Sequence, residues 1–108
     1  MVNHDHYTYR ITWSSEDQEF IGLCAEFPSL SYLSENRNTA LEGITNLVKD
    51  ILVDMEQNGE EIPIPISEKS YSGKFQVRIT PELHRRLAIE AAEEKVSLNR
   101  YVSYKLAY

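Results

Sequence analysis

The chain has 108 residues, 42% hydrophobic and 26% charged, with 4 Gly and 4 Pro. Those values fit one ordinary domain or two very small ones. No apolar run approaches the roughly 18 residues that a membrane helix needs, so no membrane partner is expected. A single cysteine, Cys24, excludes an internal disulfide and a cysteine-cluster zinc site, and reads as a small buried hydrophobe. The Met1–His6 segment lacks the basic-then-apolar pattern of a signal peptide, so a cytoplasmic location is expected.

The net charge of −6 is divided unevenly. Residues 1–73 carry 4 Lys+Arg against 13 Asp+Glu, whereas residues 74–108 carry 7 against 4. An acidic body with a short basic end suggests two modules, one suited to a cationic partner and one to phosphates.

Tyr7, Tyr9, Ile11 and Trp13 alternate with polar residues, the period of a half-buried strand. A polar cluster, Ser14–Gln18, separates them from a second strand over Phe20–Phe27, with Ile21, Leu23 and Ala25 on one face. Together they read as a hairpin, and Leu30–Leu33 reads as a short third strand. Thr39-Ala-Leu-Glu42 has the form of a capping box. Behind it Leu41, Ile44, Leu47, Val48, Ile51, Leu52 and Met55 make the apolar stripe of a long helix that ends at Asn58-Gly59. Residues 60–72 form a connector, because Ile62-Pro-Ile-Pro-Ile66 lacks the amides that a central strand requires. It suits an extended edge or a stiff linker.

The module boundary falls near Ser72-Gly73, giving domains 1–72 and 73–108. In the second, Lys74, Gln76 and Arg78 alternate with Phe75, Val77 and Ile79. Thr80-Pro81-Glu82 then starts a helix whose stripe is Leu83, Leu87, Ala88, Ala91 and Ala92. Ser97 caps another helix carrying Leu98, Val102 and Leu106. The fold class is α+β: a small antiparallel sheet covered by one long helix, followed by a strand-helix-helix tail.

Thirty-five residues bury too little core to stand alone, so the tail must oligomerise. Pairing Phe75-Val77-Ile79 with the same strand of a second chain turns the apolar side onto the helices. Lys74, Gln76 and Arg78 then point outward from a two-stranded ribbon. Such a ribbon fits the major groove of DNA, where Arg reads guanine and Gln reads adenine. The helix start at Ser97-Leu98-Asn99 offers amides to a backbone phosphate. The candidate DNA-binding residues are therefore Lys74, Gln76, Arg78, Ser97 and Asn99.

The run Gly73-Lys-Phe-Gln-Val-Arg-Ile-Thr-Pro-Glu-Leu-His84, with Ala88–Ala92 and Val96-Ser-Leu-Asn-Arg100, resembles the ribbon-helix-helix tail of HicB-family antitoxins. Glu26–Ser29, Thr39–Glu42 and Asn58–Pro65 are similar to that family's N-terminal part. The resemblance implies a partial ribonuclease-H-like N-terminal domain and a dimeric, operator-binding C-terminal one. It also implies a HicA-type toxin partner, a small basic RNA-cleaving protein that the antitoxin inhibits. Lys95 stands where the family often has Gly, and Ser34-Glu-Asn-Arg-Asn38 replaces the usual glycine-rich loop. Glu26, Phe27 and Glu35, near a sheet edge, are the candidate toxin contacts.

Enzyme chemistry is not expected, nor is any cofactor. Two-metal phosphodiester hydrolysis needs converging carboxylates, yet no strand alternates acids on one face, and Asp50 and Asp54 read as solvated helix surface. His4-Asp5-His6 reads as a frayed terminus and His84 as a surface residue. Tyr7 and Tyr9 read as sheet packing, and Tyr101, Tyr104 and Tyr108 as dimer packing or its rim. The expected function is an antitoxin that occludes a toxin and represses its own operon as a dimer or higher even oligomer. The alternative is a stand-alone regulator whose N-terminal domain senses a ligand or assembles oligomers.

Overall fold

The computed structural model describes residues 2–108, which divide into two compact units, one ending at Tyr71 and the other Ser72–Tyr108. In the first unit β1 (Tyr9–Ser14), β2 (Glu19–Cys24) and β3 (Ser31–Ser34) form an antiparallel sheet in that order. The β1–β2 turn is pinned locally. The Ser14 hydroxyl donates to Asp17 Oδ2 at 3.0 Å and accepts the Asp17 amide at 3.2 Å. Gln18 takes a left-handed φ of 54° to close the turn. The second strand stops at Cys24 rather than Phe27, because the Phe27 amide turns back to the Cys24 carbonyl at 3.2 Å.

Register decides which face is covered. Trp13 pairs with Phe20, Ile11 with Gly22, and Tyr9 with Cys24, so these six share one face. Helix α1 (Arg37–Gln57) lies on it. Ile21 and Leu23 fall on the opposite face, beside Thr12 and Leu33. A small residue is required under the helix: a Cβ at Gly22 would stand 2.5 Å from the Ala40 carbonyl oxygen.

The start of α1 differs from the expected capping box at Thr39. Asn36 is the N-cap, and its Oδ1 accepts the Thr39 amide at 3.1 Å. The buried line is Ala40, Ile44, Val48 and Leu52, at strict four-residue spacing. Leu41, expected in the stripe, lies one residue off that line and is 43% exposed. At the other end Gly59 has φ 69°, the Gly59 amide donates to Glu56 O at 3.2 Å, and the Glu60 amide donates to Met55 O at 2.9 Å. That pair is the Schellman C-cap.

Tyr7, Cys24, Phe27, Ile44, Val48 and Leu52 form the core, with Tyr7 and Phe27 edge to face at 5.3 Å. The segment before β1 is tied down, contrary to the expected frayed terminus. His4–His6 is a short 3-10 turn capped by Asn3, and Tyr9 OH donates to His4 O at 2.7 Å. The proline-containing connector packs within this unit too. Pro65 is fully buried, and Tyr7 OH donates to Pro63 O at 2.6 Å. The prolines forgo ladder amides, but their carbonyls still accept.

The second unit holds α2 (Pro81–Glu93) and α3 (Leu98–Ala107). Thr80 caps α2 by accepting the Leu83 amide at 3.2 Å, and Ser97 caps α3 by accepting the Arg100 amide at 3.0 Å. The buried stripe of α2 is narrower than expected: Ala91 is buried, Leu83 and Leu87 half-buried, and Ala88 and Ala92 exposed. Between the helices Lys95 adopts φ 58°. Its amide donates to Ala92 O at 3.0 Å and the Val96 amide to Ala91 O at 3.1 Å, a second Schellman cap.

Candidate functional site

The tail presents an apolar surface that its own chain does not cover. Residues 74–79 form no ladder within the unit. Phe75 is 75% exposed, Val77 64% and Ile79 42%. Apolar side chains of this size are seldom left exposed in a row unless another surface covers them. Val77 and Ile79 border an open recess of about 470 Å³ whose floor is Leu83, Leu87, Leu98, Val102 and Leu106. Lys74, Gln76 and Arg78 alternate with that apolar set and are also exposed.

The start of α3 has a defined hydrogen-bonding state. Ser97 Oγ is occupied as acceptor by the Arg100 amide, which leaves its O–H to donate. The Leu98 and Asn99 amides, in the first helical turn, have no intrahelical acceptor. Asn99 is exposed and its carbonyl accepts from Ser103 Oγ at 2.8 Å. Around the outer side of α3, Lys105 Nζ stands 5.5 Å from the Tyr101 ring centre, and Tyr104 and Tyr108 lie 4.9 Å apart.

In the first unit the three expected partner contacts have different surroundings. Phe27 is buried against Tyr7. Glu26 is occupied internally: Oε1 accepts the Thr8 amide at 3.0 Å, while Oε2 accepts Thr8 Oγ1 at 3.1 Å and the Ile66 amide at 2.9 Å. Burial alone would raise its carboxyl, but the Ile66 and Thr8 donors outweigh that and hold it below the usual carboxylate range. Glu35 alone of the three is exposed. Neighbouring groups shift upward because burial dominates. Burial raises Tyr7 and Cys24, and burial pushes Tyr9 up to about 12.

Sequence reasoning missed the role of Glu26, since its partner amide lies 40 residues away. It also missed the ties of residues 67 and 68. Ser67 Oγ donates to His6 O at 2.7 Å, and Glu68 pairs with the His6 ring. Among the described residues no group of His, Cys, Asp and Glu is placed to hold a metal ion, and no helix is long and apolar enough to cross a membrane.

Residues 56–106 match the family model described as the HicB family. The matched span takes in the end of α1, the proline-containing segment and nearly all of the tail. It supports HicB-family membership; Glu26–Ser29 and Thr39–Glu42 lie outside it. No curated protein and no solved structure matches the chain.

Proposed function

We propose that this chain is the antitoxin of a toxin–antitoxin pair, acting through two separable surfaces. The tail dimerises as a ribbon-helix-helix and represses its own operon. The acidic first unit, a partial ribonuclease-H-like domain on this reading, occludes a basic HicA-type ribonuclease toxin. It does so by burying the toxin's RNA-binding surface, without catalysing a reaction itself.

The observation that carries the reading is the uncovered line Phe75-Val77-Ile79 beside a recess lined by the unit's own apolar side chains, within a span matched to the HicB family. A second copy of the strand covers both lines at once: two antiparallel strands hydrogen-bond to each other and lay six apolar side chains onto four helices. The same pairing turns Lys74, Gln76 and Arg78 of each chain to one outer side. Arg78 and Gln76 then address base edges, Lys74 addresses phosphate, and the Leu98 and Asn99 amides with the Ser97 hydroxyl grip the phosphate backbone.

The test is fluorescence anisotropy with DNA from upstream of the chain's own gene and with scrambled DNA, across a salt series. Selective binding by the wild type, lost in Arg78→Ala, supports the ribbon as reader. Equal, weak binding to both DNAs that fades steeply with salt reduces the tail to phosphate attraction and overturns operator recognition.

A further inference from the structure

The first unit carries a second uncovered apolar surface, and its position can be fixed from the helix phase. Gly43 lies under the Tyr32 ring of β3, whose atoms would meet a Cβ there at 2.2–2.4 Å. Leu41, two residues earlier and so about 200° around the helix, faces the opposite, β1 side. Arg37, one turn before Leu41, shares that side and sets its guanidinium 5.2 Å from the Phe20 ring centre. Phe20 in turn meets Trp13 edge to face at 5.0 Å. Together they flank the seam between the β1 edge and the first half of α1, termed the notch. Trp13, at 48%, and Leu41, at 43%, are the exposed apolar members of its wall.

Apart from Arg37 in its wall, the charges around the notch are acidic. No Lys or Arg occurs between Arg10 and Arg37. The turn beside Trp13 and Phe20 carries Glu16 and Asp17, and Glu35 precedes the cap of α1. Among the described residues none of these three is ion-paired; the pairs found there are His4–Asp5 and His6–Glu68. Aromatic anchors flanked by a Leu and an Arg, inside an acidic rim, have the composition of an interface centre. The rim repels acidic surfaces and nucleic acid and steers cationic proteins inward.

We infer that the Trp13–Phe20–Arg37–Leu41 notch is the docking site for the basic protein partner, with Trp13 and Leu41 as its apolar anchors and Glu16 and Glu35 as its charge rim. This rests on the reading above that the first unit binds a basic toxin. It assigns that contact to the hairpin end of the sheet, away from Glu26 and from the opposite sheet face of Ile21, Leu23 and Leu33.

Trp13 is the single tryptophan of the chain, so its emission reports burial at this site. The probe is the small basic protein encoded beside this chain's gene, co-expressed with it and titrated against the full chain. Affinity is read by calorimetry and the environment of Trp13 by fluorescence. The expected result is a blue shift of Trp13 emission on binding, with at least tenfold weaker affinity for Leu41→Glu and for Glu16→Lys. Leu33→Glu, on the other sheet face, should bind as wild type does. Leu41→Glu places a good helix former at an exposed helical position, and its circular dichroism should match that of the wild type. Tight binding with unchanged Trp13 emission and unaffected Leu41→Glu would overturn the notch and leave the antitoxin reading standing. Loss in Leu33→Glu alone would move the interface to the opposite face. No binding by the wild type would overturn both.

Discussion

The Glu26 carboxylate accepts the Ile66 amide at 2.9 Å, joining the end of β2 to a segment 40 residues further along the chain. The same carboxylate holds Thr8 through its amide and hydroxyl. One acidic side chain thus fixes both the lead into β1 and the proline-containing segment, with Tyr7 OH on Pro63 O as a second tie.

Replacing Glu26 with Gln removes the charge and one of the two acceptor oxygens. Hydrogen bonds to charged groups are worth about 1.5–3 kcal/mol, so Glu26→Gln should destabilise the first unit by an amount in that range near neutral pH. The gap should depend on pH with a definite sign. The folded carboxyl lies below its ordinary value of 4.5. Its contribution is therefore complete above the unfolded value and is lost as pH falls through the lower folded one. Urea unfolding of both proteins from pH 7 down to pH 3 checks this, and a gap that widens on acidification would refute it.

Gly22 and Gly43 both sit where a Cβ has no room, yet their replacement should have different outcomes. At Gly22 the obstacle is the Ala40 carbonyl oxygen at 2.5 Å, part of a helix whose buried face cannot shift. Gly22→Ala should cost about 1–3 kcal/mol or more, as overpacking does. At Gly43 the obstacle is a side chain rather than backbone, the Tyr32 ring, which is 38% exposed. An alanine there also gains about 0.8–1 kcal/mol of helix propensity. Thermal unfolding should rank Gly43→Ala well above Gly22→Ala, and the reverse order would show that the helix, not the ring, gives way.

Lys95 has φ 58° between α2 and α3, where its own amide and that of Val96 close the helix end. A residue with a Cβ pays about 1–2 kcal/mol in that conformation. Lys95→Gly should therefore raise the stability of the tail by about 1 kcal/mol, net of the extra freedom Gly has when unfolded. The melting temperature should rise without change in the circular dichroism spectrum, and a lower value would mean that the Lys95 side chain contributes more than its backbone costs.

What the sequence made legible is what is periodic and local. The β1–β2 hairpin, the apolar stripe and the end of α1, and the caps at Thr80, Ser97 and Asn58-Gly59 all rest on neighbours within a few residues. The start of α1 was misread because Arg37-Asn38 adds no apolar signal, so Thr39 looked like the first cap when Asn36 takes that role. The covered face of β2 was ambiguous, since Phe20-Gly22-Cys24 and Ile21-Leu23-Ala25 are both apolar sets. Only the close approach of Ala40 selects the set containing glycine. Glu26 was placed near a sheet edge, but its partner amide lies too far along the chain for any spacing rule. The alternation over residues 74–79 was plain, and it forms no ladder within its own unit.

That alternation separates two failures that a single variant would confound. Phe75 is 75% exposed in the chain alone, so a charge at that position costs little in an isolated tail. In a paired ribbon the same charge is buried without a partner, at a cost of several kcal/mol. Phe75→Asp should therefore shift the chain from dimer to monomer in light scattering and abolish DNA binding with it. Arg78→Ala removes a side chain from the outward set and leaves the apolar set intact. It should keep the dimer mass and lose about 1–3 kcal/mol of sequence-selective binding. Lys74→Ala should weaken all DNAs alike and reduce the salt slope by about one. A Phe75→Asp chain that keeps the wild-type mass would show that the tails do not pair through this strand, and the outward set of Lys74, Gln76 and Arg78 would then have no ribbon to present it.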